Sequence, residues 1–320
     1  MAYPMDCKLL GLNMLIARPF LWRVCSRVSD INPGWQTTNN SHMILNSNGA
    51  FGTYDSTDYS LSCIALAEQE KLMERDYWYS STRNFDELES SEHIGAKAAE
   101  RVISRLGAKT IKTQVCPVLF SPEMTSSLIS SFLSAINGSS IYKKSSFLID
   151  KINKKVFPEF INISEDPSLP NGSGTRPYDS EGVLTQKKDI IKEGILKTYL
   201  LDTYAARKLN ETCTGNGVLT NILVTSKQPS SSLLESMPDG LYITDMMGSG
   251  ANTLTGDYSR GAFGYLVKNG EIQYPVTEIT VASNLLQMFE NIIALGDDID
   301  SRNRIRTGSM LIDNITIGGQ

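Results

Sequence analysis

The sequence predicts an α+β fold, with mainly antiparallel sheets, hairpins and a few packed helices. Three observations predict it. Strand-like runs such as YSLSCIALA and GLYITDMMG recur, the first alternating at the period of two that a half-buried strand requires. Asn269-Gly270 lies between two such runs in GYLVKNGEIQYPV, and that dipeptide suits a two-residue hairpin turn. Helical stretches are grouped between strands instead of following each strand in turn, which disfavours a parallel βαβ array.

Residues 1–44 read as an atypical, partly disordered leader. They hold Trp22 and Trp35, the polar cluster QTTNNSH and no sustained period. The apolar segment from Leu9 to Ile16 is followed by Arg18, Arg23 and Arg27, whereas a secretory signal carries its positive charge first and ends at a small-residue cleavage site. Residues 45–112 form a central α+β region. Asn48-Gly49 and Gly52 signal turns before YSLSCIALA, and MERDYWYSSTRNF is a second strand with Tyr77 and Tyr79 on one face. SSEHIGAKAAERVISRLG is a helix. Ser90 or Ser91 can cap it, Ile94, Ala98, Val102 and Leu106 repeat every four residues, and Gly107 suits its end.

Residues 113–320 form a C-terminal α+β domain. CPVLF is a short buried strand. SPEMTSSLISSFLSAING is a helix with Pro122 in its first turn and Met124, Leu128, Phe132 and Ile136 on one face. Ser164 to Gly182 is rich in Pro, Gly and Ser, a long loop of the kind that has a function or moves. KKDIIKEGILKTYLLDTYAARKL continues as strand, Glu-Gly turn, strand and short helix. TVASNLLQMFENIIALG reads as a final helix and GSMLIDNITIGG as a closing strand.

Composition narrows the function. The 320 residues are 41% hydrophobic and 20% charged, enough apolar content for a real core. A net charge of −5 gives no basic surface for nucleic acid, and no apolar run reaches the length of a membrane-spanning helix. Five scattered cysteines (Cys7, Cys25, Cys63, Cys116, Cys213) without a C-x-x-C pair fit reduced thiols and a cytoplasmic location.

The segment GSGANTLTGDYSRGAFGYLVKNGEIQYPV concentrates the candidate chemistry. Gly248 and Gly250 begin a dinucleotide fingerprint, but Thr253 occupies the third glycine position and a strand follows where a helix is needed. These glycines instead permit positive φ and close backbone approach. Asp257, Ser259 and Arg260 are chemically capable, yet a serine nucleophile needs a base, and the chain has only His42 and His93. Asp257, Tyr258, Ser259 and Arg260 remain as residues facing a substrate or partner. His93 lies in the first turn of a helix with Lys97 four residues on, which is no zincin pair. Asp179 and Glu181 could share a face as paired carboxylates, though a solvated turn is the plainer reading; Lys143-Lys144 reads as a solvated edge.

From about Leu45 onward the chain resembles the TldD/PmbA family, in its PmbA (TldE) branch. The blocks that carry the resemblance are LAEQEKLMERDYWY, INGSSIYKKSSFLID, YDSEGVLTQKKDIIKEGILKTYLLDTYAARKL and GDYSRGAFGYLVKNGEIQYPVTEITVASNL. The resemblance implies a cytoplasmic two-component metalloprotease acting on unfolded or extended peptides, in peptide maturation and antitoxin degradation. Zinc would reside in a TldD-like partner subunit. This chain would bind no cofactor, and no catalytic residue or metal ligand carries over to it, because no position matches the zinc motif. The family's chains have a further N-terminal domain, so this sequence reads as N-terminally truncated. A non-catalytic interaction or regulatory protein, or an inactive remnant, is the alternative.

Overall fold

A computed structural model of the chain describes residues 28–47, 49–69 and 72–320, and two compact units divide them. The first unit comprises the described residues up to His42 together with Asp55–Ala108. Three long strands, β1 (Val28–Leu45), β2 (Phe51–Gln69) and β3 (Leu72–Thr82), form a sheet in the order β1-β2-β3. Strand β2 pairs antiparallel with β3, placing Ser62 opposite Tyr79 and Ile64 opposite Tyr77. The two-residue period decides the faces: Leu61, Cys63, Ala65 and Ala67 point inward and are buried, while Ser60, Ser62, Ile64 and Leu66 alternate on the other face.

Helix α1 (Ser91–Arg105) covers the inner face. Ser90 caps it by accepting the His93 N–H at 3.2 Å, and Ile94, Ala98, Ala99 and Val102 form its buried stripe. Small side chains on both partners allow close approach of helix to sheet. The polar face is pinned as well. Asp76, 7% exposed, accepts from Arg101 and Arg105 at 3.3 Å each, and the Arg101 guanidinium lies 5.3 Å from the Trp78 ring centroid.

The expected leader therefore differs from its sequence reading over its last 17 residues. Val28 to Ile44 is strand, with Val28 and Ile31 in the core; residues 1–27, including the Leu9–Ile16 segment, lie outside the described residues. The polar cluster concealed the strand because β1 is an edge strand, where Pro33 and polar side chains on both faces are tolerated.

The second unit comprises Met43–Tyr54 and Lys109–Gln320. Strand β4 (Gln114–Phe120) leads into α2 (Pro122–Ala135) and the single turn α3 (Gly138–Tyr142). Pro122 starts α2, as the sequence predicts, and Ser121 caps it. Next come β5 (Ile161–Asp166), β6 (Lys188–Lys192), β7 (Ile195–Leu196), α4 (Thr203–Leu209), β8 (Asn221–Ser226) and α5 (Leu233–Ser236). The chain ends with β9 (Gly240–Met247), β10 (Asp257–Lys268), β11 (Glu271–Asn284), α6 (Leu285–Glu290), β12 (Ile292–Leu295), β13 (Ile305–Arg306) and β14 (Met310–Gly318).

Two sheets result. One runs β11-β10-β9-β4-β14-β12, and the further β11–β14 pairing closes five of its strands into a barrel. The other runs β13-β8-β5-β6-β7. The predicted α+β class holds, but the sheets are mixed: β4 pairs parallel with β9, and β8 with β13. No local hydrophobic pattern distinguishes a parallel from an antiparallel neighbour when both strands are buried, so this pairing was invisible in sequence.

Between these sheets and α2 lies a core centred on Phe132, Phe157 and Phe289. Phe157 and Phe289 stack at 4.8 Å, and Phe132 meets both edge-on at 5.1 and 5.7 Å. A second correction concerns the expected final helix. Thr280 to Asn284 continue β11, and only Leu285–Glu290 are helical before β12 begins. Ile279 and Val281 alternate inward in the ladder, and Asn284 caps the helix by accepting the Leu286 N–H at 3.1 Å. The apolar residues downstream look helical at period 3.6 only when these two pieces are read as one.

Candidate functional site

The face of the three-stranded sheet opposite α1 carries a hollow with a defined chemistry. A hollow of about 290 Å³ is lined by Ser60, Ser62, Ile64, Arg75, Tyr77 and Tyr79. Tyr77 and Tyr79 stack at 6.2 Å, on the same face as their spacing predicts, and Tyr77 is 53% exposed. Gly34 of β1 leaves room for Ser62, since a Cβ there would stand 2.7 Å from its Oγ. The floor is therefore hydroxyls and aromatic rings with one guanidinium at its edge. On either side, among the described residues, β1 and β3 each pair with β2 only, so each leaves one row of backbone groups outside that ladder.

The Gly-Asp-Tyr-Ser-Arg segment opens β10, and the alternation of the strand splits it. Asp257 and Ser259 are exposed; Asp257 accepts from Thr255 Oγ1 at 2.7 Å. Tyr258 is 2% exposed and belongs to the core, which removes it from the expected substrate-facing group. Burial raises the Tyr258 phenol above its ordinary pKa, and its hydroxyl meets the Met246 sulfur at 3.0 Å. Arg260 donates from Nη1 to Ser127 Oγ of α2 and from Nη2 to Met246 O, both at 2.9 Å, clasping helix to barrel. Gly250 explains the preceding glycines: a Cβ there would fall 1.8 Å from Ser259 O, so the backbones touch and no side chain fits. Gly248, at φ +74, supplies the left-handed turn before it.

Other candidates resolve into scaffolding. Asp179 is 2% exposed and accepts the N–H groups of Glu181, Val183 and Gly217 at 2.8 to 3.0 Å. Glu181 binds Thr203 N and Oγ1 at the start of α4. The turn is thus anchored, not solvated, and its two carboxylates serve different partners. His93 is exposed on α1 with its Nε2 3.2 Å from Glu89. Lys144 is exposed and left-handed at φ 56.

Sequence reasoning missed a buried polar network in the second unit. Glu165, 1% exposed, lies 3.0 Å from Lys188 Nζ and accepts from Asn216 Nδ2, Thr220 N and Thr220 Oγ1, each at 2.8 Å. Lys188 also donates to Asn216 Oδ1 at 2.7 Å and to Thr214 O. Every charge is matched, as burial requires. Glu165 and Lys188 are 23 positions apart in ordinary-looking segments, so only the β5–β6 pairing reveals them, with Glu165 directly opposite Lys188.

Comparison with known proteins decides the family. A PmbA/TldA metallopeptidase central domain matches residues 18–106, and the corresponding C-terminal domain matches residues 113–319. The chain belongs to the PmbA/TldA metallopeptidase family. It is 45% identical over 277 residues to a metalloprotease PmbA homolog of Haemophilus influenzae, covering 86% of this chain and 61% of that protein. It therefore spans about three-fifths of that PmbA relative. A crystal structure from Bacteroides thetaiotaomicron, described as a candidate modulator of DNA gyrase, superposes with a TM-score of 0.93 at 28% identity, covering 99% of this chain and 72% of the other. TldE of Thermococcus kodakarensis shares the fold, with a TM-score of 0.87 at 19% identity over 100% of this chain and 75% of its own. The PmbA/TldE branch named from sequence stands.

Proposed function

We propose that this PmbA/TldE-like protein is the non-zinc subunit of a two-component cytoplasmic metalloprotease, and that it holds unfolded or extended peptides for a TldD-like partner carrying the zinc. The observation that carries the reading is the three-stranded sheet, whose outer strands, among the described residues, are paired on one side only beside a hydroxyl and aromatic hollow. A peptide added as a further strand bonds through its backbone, which tolerates many sequences. Every second side chain then lies over the same face, where Tyr77, Tyr79 and Ile64 offer apolar contact and Arg75 a cation. An added strand must be extended, which selects unfolded chains over folded ones.

The test is peptidase activity on an unstructured peptide, measured for this chain, for a TldD-like subunit and for the mixture. Chelator-sensitive cleavage is expected in the mixture and not from this chain alone. Replacing both Tyr77 and Tyr79 with Ala should raise KM severalfold while leaving kcat within about twofold, the pattern of lost binding. Robust chelator-sensitive cleavage by the isolated chain would overturn the proposal.

A further inference from the structure

The second unit holds a larger groove that the reading above does not use. Its volume is about 810 Å³, within the range of small-ligand sites. Three segments wall it: Ile141 to Ile152 around the end of α3, Lys197 to Leu201 after β7, and Lys208 to Thr214 at the end of α4. We propose that this groove binds a short peptide through its free C-terminal carboxylate.

Charge is the first argument. Lys144, Lys197 and Lys208 all line the groove, all are exposed, and none is ion-paired among the described residues. Other lysines of this unit do find carboxylates: Lys187, Lys188, Lys192 and Lys227 each lie within 3.2 Å of one. Lys208 lies 5.5 Å from the Tyr204 ring centroid, which leaves its charge uncompensated by any carboxylate, and three such ammonium groups around one hollow favour an anion. The lining also includes Asp150 and Glu211. Two carboxylates repel a polyanion such as a nucleotide, but they suit a ligand whose other end is an ammonium group. A peptide with free termini carries both charges.

The floor supplies the second argument. Ile141, Tyr199 and Leu201 give it an apolar base on which side chains can lie. The walls are fixed before any ligand arrives. Tyr199 OH donates to Leu148 O at 2.8 Å and accepts the Lys151 N–H at 3.3 Å, tying the second wall to the first. Thr214 Oγ1 takes the Leu201 N–H at 2.7 Å, while its carbonyl accepts from Lys188 in the buried network. Rigid walls spare the ligand the ordering cost of a loose loop. The inference stands on this groove alone and does not depend on the sheet binding substrate.

Calorimetric titration of the full chain tests it, with the tetrapeptide Ala-Leu-Phe-Ala as free acid, the same peptide as C-terminal amide, and inorganic phosphate. Saturable binding of the acid is expected, with the amide about tenfold weaker because a charge-assisted contact is lost. Lys197→Ala with Lys208→Ala should weaken the acid by at least about tenfold without moving Tm, since both side chains are exposed. Asp150→Asn should weaken the free-amine peptide and leave its N-acetyl form unchanged. Equal binding of acid and amide, phosphate binding as tight as the peptide's, unchanged affinity in the double lysine variant, or no saturable binding of the acid would each overturn the proposal.

Discussion

The two units solve the same problem, burying apolar surface against a sheet, with different materials. Among the described residues, the first uses one helix on one sheet, and half of its buried core side chains are small: Cys63, Ala65, Ala67, Ala98 and Ala99. The second encloses three phenylalanines between two sheets and a helix. Close approach substitutes for bulk in the first, while volume fills the second. Among the described residues, no helix packs on the opposite face of the three-stranded sheet, whereas the second unit closes its larger sheet on itself.

Three variants would break or sharpen this contrast. The largest effect is expected from Phe132→Ala, which removes a ring packed against Phe157 and Phe289. It should cost about 4 kcal/mol and raise hydrogen exchange across the second unit, while the α1 amides stay protected. Loss of protection in α1 to the same degree would show that the units share one stability. Next comes Lys188→Met, which strands the Glu165 carboxylate among polar partners and should cost about 3 kcal/mol in denaturant unfolding. A neutral result would mean that methionine packing replaces the pair, and that the network fixes geometry more than stability. The smallest is Ser90→Ala in the first unit, at about 1 kcal/mol, read as faster exchange in the first turn of α1.

Local signals were legible wherever one residue or one period decides the outcome. Ser90, Pro122, Asn269-Gly270 and the Tyr77/Tyr79 face all appear as their chemistry requires. What sequence hid was long-range pairing. The β4–β9 and β8–β13 neighbours run parallel, and the β11–β14 contact closes a barrel; each joins segments too distant for any local pattern to register. The same limit governs the sites. Arg260 looked like a surface cation until Ser127, 133 positions away, took its Nη1. Likewise Tyr258, expected to face a substrate or partner, is turned inward by strand alternation. The groove lysines, spread from 144 to 208, converge only in three dimensions.

Strand β1 bears on a different matter, the behaviour of the protein in a crowded solution. An 18-residue edge that paired readily with its own kind would seed filaments. Past Trp35 the strand carries Gln36, Thr37, Thr38, Asn39, Asn40 and Ser41, most of them exposed, with Pro33 just before them. Such side chains give a neighbouring copy little apolar surface to stack on, and the proline interrupts the row of amide donors. The edge stays available to a visiting strand that brings its own apolar residues, while two identical edges gain little from each other. The polar middle of β1 thus weakens self-pairing, and its exposed apolar side chains, Met43 and Leu45, are confined to the end of the strand.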